Sequence, residues 1–350
     1  MISICMITRD ESKRLDRCLA ALSKLPAQLV VVDTGSKDDS VQVAQKYTDK
    51  VFSFEWCNDF SAARNYAAAC ADNDWILMVD TDEYLTECDW NQVCGFIRDN
   101  RDIVGRIVRR NVFLRDGEEQ ISKEYVNRLY DRRNFCYAGA IHEQIVRTDG
   151  KGYDTKVLPM YFDHDGYNGD EEYIKRKADR NIRLLSEVYE NNPNDPYIIY
   201  QLGKSYFMKG DYEKAYEWFH KATFLEMDEK LEYVTDLIVS YGYAMLRTDR
   251  AKEALGLTAL TDYFGRSADF MFMLGLVRMN NMQFEEAVDD FMAATHLTDV
   301  VMDGVNSYKA YYNAGVIYEC LGDTSRAIEY YKKCAGYPKA AARIDELSGA

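Results

Sequence analysis

No run in this 350-residue chain is long and apolar enough to span a bilayer as a helix, so a membrane span is not expected. Positive charge is short: 43 Lys and Arg stand against 58 Asp and Glu, leaving a net charge of -15. That balance argues against nucleic-acid backbone or anionic membrane as the main partner. The nine cysteines form no Cys-x-x-Cys pair. An odd, scattered set fits reduced thiols better than a disulfide frame or a zinc site, and points to a cytoplasmic protein. Met1 to Ile7 carries no basic leader and runs straight into a first strand, so no signal peptide is expected. The glycine fingerprints are missing too. No Gly-x-Gly-x-x-Gly follows that strand, which counts against a dinucleotide dehydrogenase, and no Gly-x-x-x-x-Gly-Lys phosphate loop occurs.

What is present is a large apolar fraction, 47%, enough for a packed core in one to three domains. The organising stretch is Trp75-Ile76-Leu77-Met78-Val79-Asp80-Thr81-Asp82-Glu83. Its apolar head reads as a strand buried on both faces of a parallel sheet. It stops on three acids, at the strand end where open α/β sheets bind ligands. Asp80 and Asp82 are two apart, so an extended strand would aim both to one side. Carboxylates so placed suit a divalent cation shared with substrate phosphates, although a solvated acidic turn has the same composition.

Before it, Ile2 to Ile7 is a strand ending in Thr8-Arg9-Asp10-Glu11, followed by a helix with Leu15, Cys18, Leu19 and Leu22 on one face. Leu29 to Val32 is a second strand, closing on Asp33-Thr34-Gly35-Ser36-Lys37-Asp38. Gly35 supplies a tight turn there, and Ser36 or Asp38 caps the helix from Val41 to Tyr47. Val51 to Phe54 is a short strand, and Asn58-Asp59-Phe60-Ser61-Ala62-Ala63-Arg64-Asn65 opens an alanine-rich helix. Strands alternating with helices predict a parallel sheet with right-handed crossovers. Its rim would gather Thr8, Glu11, Asp33, Asp38, Asp80 and Asp82, with Arg64 close by. Many acids with one arginine match a nucleotide diphosphate that brings its own metal ion.

These four strand-end motifs, in this order, resemble the family 2 glycosyltransferases with their GT-A fold. The resemblance implies that Asp33 pairs with the donor's base and that Thr8 and Glu11 line base and ribose. It also implies Arg64 near the diphosphate, Asp80 near the ribose and Asp82 on Mn2+ or Mg2+. The family's usual Lys-Asn-Glu is Arg9-Asp10-Glu11 here, which leaves Arg9 without a role. Ile103 to Arg109 and Tyr125 to Tyr130 read as further strands. Asn127 to Arg133 and Tyr137 to Gln144 resemble the subgroup with a helical-repeat tail, among them bacterial enzymes that glycosylate peptides such as glycocins. Phe162-Asp163-His164-Asp165-Gly166-Tyr167 resembles a family His-x-Gly-Tyr element. His164 stands where GT-A enzymes bring a late histidine back to the metal, the alternative being a loop histidine between two acids.

Composition shifts near Gly169, dividing the chain at 1-169 and 170-350. Glu171 to Glu190 is a helix broken by Asn191 to Pro196. Tyr197 to Leu225, Met271 to Leu297 and Tyr311 to Cys334 then repeat the small and aromatic positions of a tetratricopeptide helix pair, with a degenerate copy around Gly242 and Ala254. The expected architecture is an α/β GT-A nucleotide-sugar-binding domain followed by an all-α tetratricopeptide-like repeat domain.

The resemblance implies an inverting, metal-dependent transfer from a nucleotide sugar, with a UDP-sugar the expected donor, to a peptide or protein acceptor presented by the repeats. A saccharide or lipid-linked acceptor is the alternative, with the repeats holding a homodimer. Two other classes compete. A nucleotidyltransferase would want a basic glycine-rich first loop, which is absent. A non-catalytic scaffold would lack Asp82 or an acceptor-side carboxylate, and both are present. Inversion needs a base on the acceptor side of the sugar, and Glu143, after Gly139-Ala140-Ile141-His142, is the candidate. Desolvation beneath an acceptor would raise its proton affinity. His142 would orient it or serve as the base itself. The structural alternative is that Glu143 pairs with Arg128 or Arg132.

Overall fold

The structure, a computed structural model, describes residues 1–115, 118–165 and 171–349. Gly166 and Tyr167 of the polar cluster, and the expected boundary at 169/170, lie outside the described residues. The chain divides into two compact units, Met1–Asp170 and Glu171–Ala350.

The first unit begins with β1 (Ile2–Thr8), α1 (Ser12–Leu22), β2 (Gln28–Asp33), α2 (Ser40–Gln45), β3 (Val51–Ser53), α3 (Phe60–Ala69) and β4 (Trp75–Met78). These strands pair in parallel in the order β3-β2-β1-β4. Their unbroken apolar runs have a direct cause, since successive side chains point to opposite faces and both faces are covered. Ile2, Ile4, Met6, Leu29, Val31 and Leu77 pack with Leu15, Leu19 and Leu22 of α1. Cys5, Val30, Val32, Ile76 and Met78 pack on the other side with Ala67 and Ala68 of α3.

The expected parallel pairing holds through β4, and beyond it the sheet becomes mixed. The chain continues through β5 (Glu83–Cys88), α4 (Trp90–Asp99), β6 (Ile103–Arg115), β7 (Glu118–Asp131), β8 (Phe135–Ala138), β9 (Gln144–Arg147) and β10 (Asp154–His164). The sheet completes as β3-β2-β1-β4-β7-β6-β10-β5, with β7 antiparallel to both neighbours and β5 antiparallel to β10. The strand–helix alternation ends at β4, and β6 and β7 form one long hairpin, which can only pair antiparallel. β4 and β5 are four strands apart, about 19 Å if the sheet were flat. The five steps from Met78 to Glu83 reach at most about 17 Å, so the strands between must curl over the end of β4. The Asp80–Glu83 turn therefore lies against β7, β6 and β10. β8 and β9 form a separate small hairpin.

The second unit is helical: α5 (Glu171–Asn191), α6 (Pro196–Lys209), α7 (Tyr212–Ala222), α8 (Glu232–Arg247), α9 (Ala251–Ala254), a 3-10 turn at Leu255–Leu260, α10 (Thr261–Phe264), α11 (Ala268–Asn280), α12 (Phe284–Thr295), α13 (Tyr308–Cys320), α14 (Thr324–Lys332) and α15 (Pro338–Ser348). Asp195, Asp211, Ser267 and Asp323 cap helix starts with their side chains. The three expected helix pairs are α6/α7, α11/α12 and α13/α14. In each, a glycine of the first helix faces an aromatic ring of the second. A Cβ on Gly203, Gly275 or Gly315 would sit 2.5, 2.6 or 2.6 Å from Phe219, Phe291 or Tyr331. In the degenerate copy, Thr258 stands at the same spacing from Gly242, and Met273 fills the space instead. In this copy the second helix is made of the short pieces α9, the 3-10 turn and α10.

Candidate active site

The site is held from below by α3. Asp59 caps it, accepting from the N–H of Ala62 at 2.9 Å, and the Ser61 hydroxyl donates to the same carboxylate at 2.7 Å. Asn65, one turn on, clamps the backbone of Tyr137 from both sides. Its amide donates to the Tyr137 carbonyl at 2.8 Å and its oxygen accepts the Tyr137 N–H at 2.9 Å. The Phe60 N–H donates to the Ala140 carbonyl at 2.9 Å. The loop from Gly139 to Glu143 is thereby fastened to α3. It turns through two left-handed residues, Gly139 (φ 97°) and His142 (φ 50°). The second is costly for a residue with a Cβ and fixes how Glu143 is presented.

Arg64, buried on the same helix, joins two elements. Its Nε donates to Glu143 at 2.5 Å and its Nη2 to Asp80 at 2.7 Å. Asp80 receives Arg128 of β7 on its other oxygen, and Arg128 also donates to the fully buried Glu83 at 2.7 Å. Arg109 of β6 reaches Glu83 at 3.2 Å and Glu124 at 2.6 Å. Burial alone would raise the Asp80 carboxyl, but Arg128 and Arg64 outweigh it and hold it well below the usual carboxylate range. Asp80 is thus an ionised carboxylate between two guanidinium groups. The structural alternative for Glu143 named the wrong partners: it pairs with Arg64, while Arg132 caps α3 by donating to the carbonyls of Ala68 and Ala71.

Asp82 faces elsewhere. Its Oδ2 lies 3.3 Å from Nε2 of the buried His164. The expectation that an extended strand aims Asp80 and Asp82 together is corrected. β4 ends at Met78 and the Glu83 N–H closes a turn on the Asp80 carbonyl at 3.0 Å, so the two acids reach different neighbours. Thr81, between them, donates to Glu11. Burial, more than the neighbouring Asp82, raises the proton affinity of Glu11 above the ordinary value. Behind His164, Nδ1 lies 2.7 Å from Asn111 Oδ1, and the Asn111 amide donates to Ser122 at 3.1 Å. A carboxylate and an imidazole nitrogen converging this closely fit a cation such as Mn2+, which accepts both donor types.

At the first two strand ends, Thr8 is directly opposite Asp33 in the ladder. Thr8 Oγ1 is buried and without a hydrogen-bond partner among the described residues. Asp33 accepts the backbone N–H groups of Gly35 and Ser36 at 3.1 to 3.2 Å, and Gly35 has the left-handed φ of 101° that its turn needs. Asp38 locks this loop to α1, accepting from the Ser12 N–H at 3.0 Å and the Ser40 N–H at 3.0 Å. Slight burial raises its carboxyl, but hydrogen bonds from Ser40 and Ser12 bring it down to about 2. Those bonds occupy Asp38 in holding the loop rather than in capping only the helix after it.

The structure thus places Asp80, Arg64 and Glu143 in one ion-pair chain, and Asp82, Glu11 and His164 in a neighbouring group. Thr8, Asp33 and Asp38 stand at the adjoining strand ends. Sequence reading missed Asn111, Ser122 and Arg109, and left Arg128 undecided. No local pattern marks them, because they meet the site only through cross-strand register.

Residues 3–154 match the family described as Glycosyl transferase family 2, and residues 196–225 and 308–339 match the tetratricopeptide repeat. A TPR repeat-containing protein of Synechococcus elongatus is 29% identical over 223 residues, covering 62% of this chain and 55% of that one. The chain thus spans a little over half the length of that relative. The SPbeta prophage-derived glycosyltransferase SunS of Bacillus subtilis is 23% identical over 325 residues, covering 89% of this chain and 74% of that one. Among solved structures, YrrB, titled a TPR protein with an unusual peptide-binding site, aligns with 22% identity and a TM-score of 0.41, covering 50% of this chain and 85% of that one.

Proposed function

We propose that this chain, which carries a glycosyltransferase family 2 domain followed by tetratricopeptide repeats, moves a sugar with inversion from a UDP-sugar to a peptide or protein acceptor. The observation that carries the reading is the pair of linked groups at one sheet rim. Arg64 ties Asp80 to Glu143, and beside it Asp82 meets His164.

Asp33 and Thr8, at adjoining strand ends, would meet the nucleotide base, with Glu11 toward the ribose. Asp82 and His164 would hold a divalent cation, Mn2+ or Mg2+, the remaining positions falling to diphosphate oxygens and water. When bound, the cation would supply Lewis-acid stabilisation of the negative charge that develops on the leaving diphosphate. Arg64, shared between Asp80 and Glu143, would hold the general base and the Asp80 turn in place beneath the diphosphate, so no reorganisation is needed when that charge appears. The acceptor's lone pair forms the new bond to the anomeric carbon as the bond to the diphosphate oxygen breaks. Its proton passes to Glu143, whose loop is fastened to α3 so that the carboxylate keeps its place. The repeats would present the acceptor.

A hydrolysis screen across nucleotide sugars, with Mn2+ or Mg2+, tests the donor side without an acceptor. The reading expects metal-dependent release of UDP from one UDP-sugar. Turnover of nucleoside triphosphates instead would move the chain to nucleotidyl transfer. With the donor known, transfer to saccharides but to no peptide would return the repeats to an assembly role.

A further inference from the structure

We infer that Asn111 is a positioning residue for the cation site: held by Ser122, it sets the His164 ring so that Nε2 faces Asp82. The inference rests on the cation reading above. Its basis is a row across three adjacent strands. Ser122 of β7 is the register partner of Asn111 of β6, and Asn111 is the register partner of His164 of β10. All three are buried, Asn111 to 1% exposure.

The chemistry of the row fixes the ring. A neutral imidazole carries one proton, on one nitrogen or the other. Asn111 Oδ1 has none to give, so at 2.7 Å the proton belongs to His164 Nδ1. Nε2 then presents its lone pair toward Asp82 Oδ2, 3.3 Å away. A neutral Nε2 and a carboxylate oxygen at that separation are the nitrogen and oxygen donors that a cation such as Mn2+ accepts together. The Asn111 amide nitrogen reaches Ser122 at 3.1 Å, which leaves Oδ1 facing the ring. Strands on both sides leave the amide little freedom. A partner of this kind, behind a ligating histidine, fixes both tautomer and ring orientation.

The test is Mn2+ binding to the full chain in the presence of UDP, read from the electron paramagnetic resonance signal of free Mn2+. Asn111→Leu, which has the same branched heavy-atom skeleton but no acceptor, should weaken Mn2+ by about 10- to 100-fold. Asn111→Asp, which keeps an acceptor oxygen toward the ring and can still accept from the Ser122 hydroxyl, should lose less than Asn111→Leu. If Asn111→Leu binds Mn2+ like wild type while His164→Ala does not, Asn111 has no such role and the cation reading survives. If His164→Ala and Asp82→Ala also bind like wild type, the cation reading falls and the inference with it. The wild-type protein supplies a second readout should Asn111→Leu not fold. With only four histidines, 15N correlation spectra can identify the neutral His164 tautomer. A proton on Nδ1 is expected, and a proton on Nε2 overturns the inference.

Discussion

Replacing Glu143 with Gln keeps the side chain's shape and removes its charge. The carboxylate is 10% exposed and its partner Arg64 7% exposed, with 2.5 Å between Oε1 and Nε. Two unit charges about 4 Å apart interact by about 4 kcal/mol at an effective dielectric of 20. Only part of that is lost, because the amide oxygen still accepts from Nε and Arg64 keeps Asp80. A stability loss of about 1–3 kcal/mol is the expected scale for weakening a charged hydrogen bond. Catalysis should suffer more. A general base contributes about 10²- to 10⁴-fold, so single-turnover transfer at saturating donor should slow by at least about 10²-fold. Donor affinity, measured by calorimetry, should hold. The two effects separate the roles: an ion pair that is only structural would lower Tm and leave the transfer rate within a few fold. That result would refute Glu143 as the base. If His142→Ala were then the variant that lost transfer, the role would pass to the histidine.

Other substitutions test the scaffold. Asn65→Ala removes both clamps on Tyr137, whose N–H and carbonyl would then lack their partner, and should cost about 1–3 kcal/mol in urea unfolding. Gly275→Ala places a Cβ 2.6 Å from the Phe291 ring and should cost about 1–3 kcal/mol by overpacking, part of which Phe291→Leu should recover. Burial, opposed by Arg278 and reinforced by Asp289 and Glu286, raises the Asp290 carboxyl from 3.8 to about 6. Between those values the folded chain binds more protons than the unfolded one, so this group's contribution to stability is lost as pH rises through the window. Asp290→Asn should therefore compare more favourably with wild type at pH 8 than at pH 4, and an unchanged difference between the two would contradict that assignment.

The strand ends were legible because polar runs punctuate strands whose apolar residues serve both faces, so Thr8, Asp33 and Asp80 announce themselves. The Phe60–Asn65 segment was legible as a motif but not as a device. That Asn65 clamps Tyr137 depends on a loop more than seventy residues away. The mixed half of the sheet was hidden because β6 and β7 are long enough to hide their register, and register decides that Asn111 stands between Ser122 and His164. The shared direction of Asp80 and Asp82 failed for a local reason, a turn closed by Glu83 just past Met78. In the repeats, small and aromatic positions recur at one spacing, and at that spacing the degenerate copy carries Thr258 where the others carry a ring.

Under the proposed function this rim binds a nucleoside diphosphate through a divalent cation. Calorimetric titration of UDP into the full chain, with Mn2+ and then with EDTA, reads that binding. It is expected to require Mn2+ and to be lost in Asp82→Ala, while Glu143→Gln binds like wild type. UDP binding of equal strength with Mn2+ or EDTA, unchanged in Asp82→Ala, would contradict it.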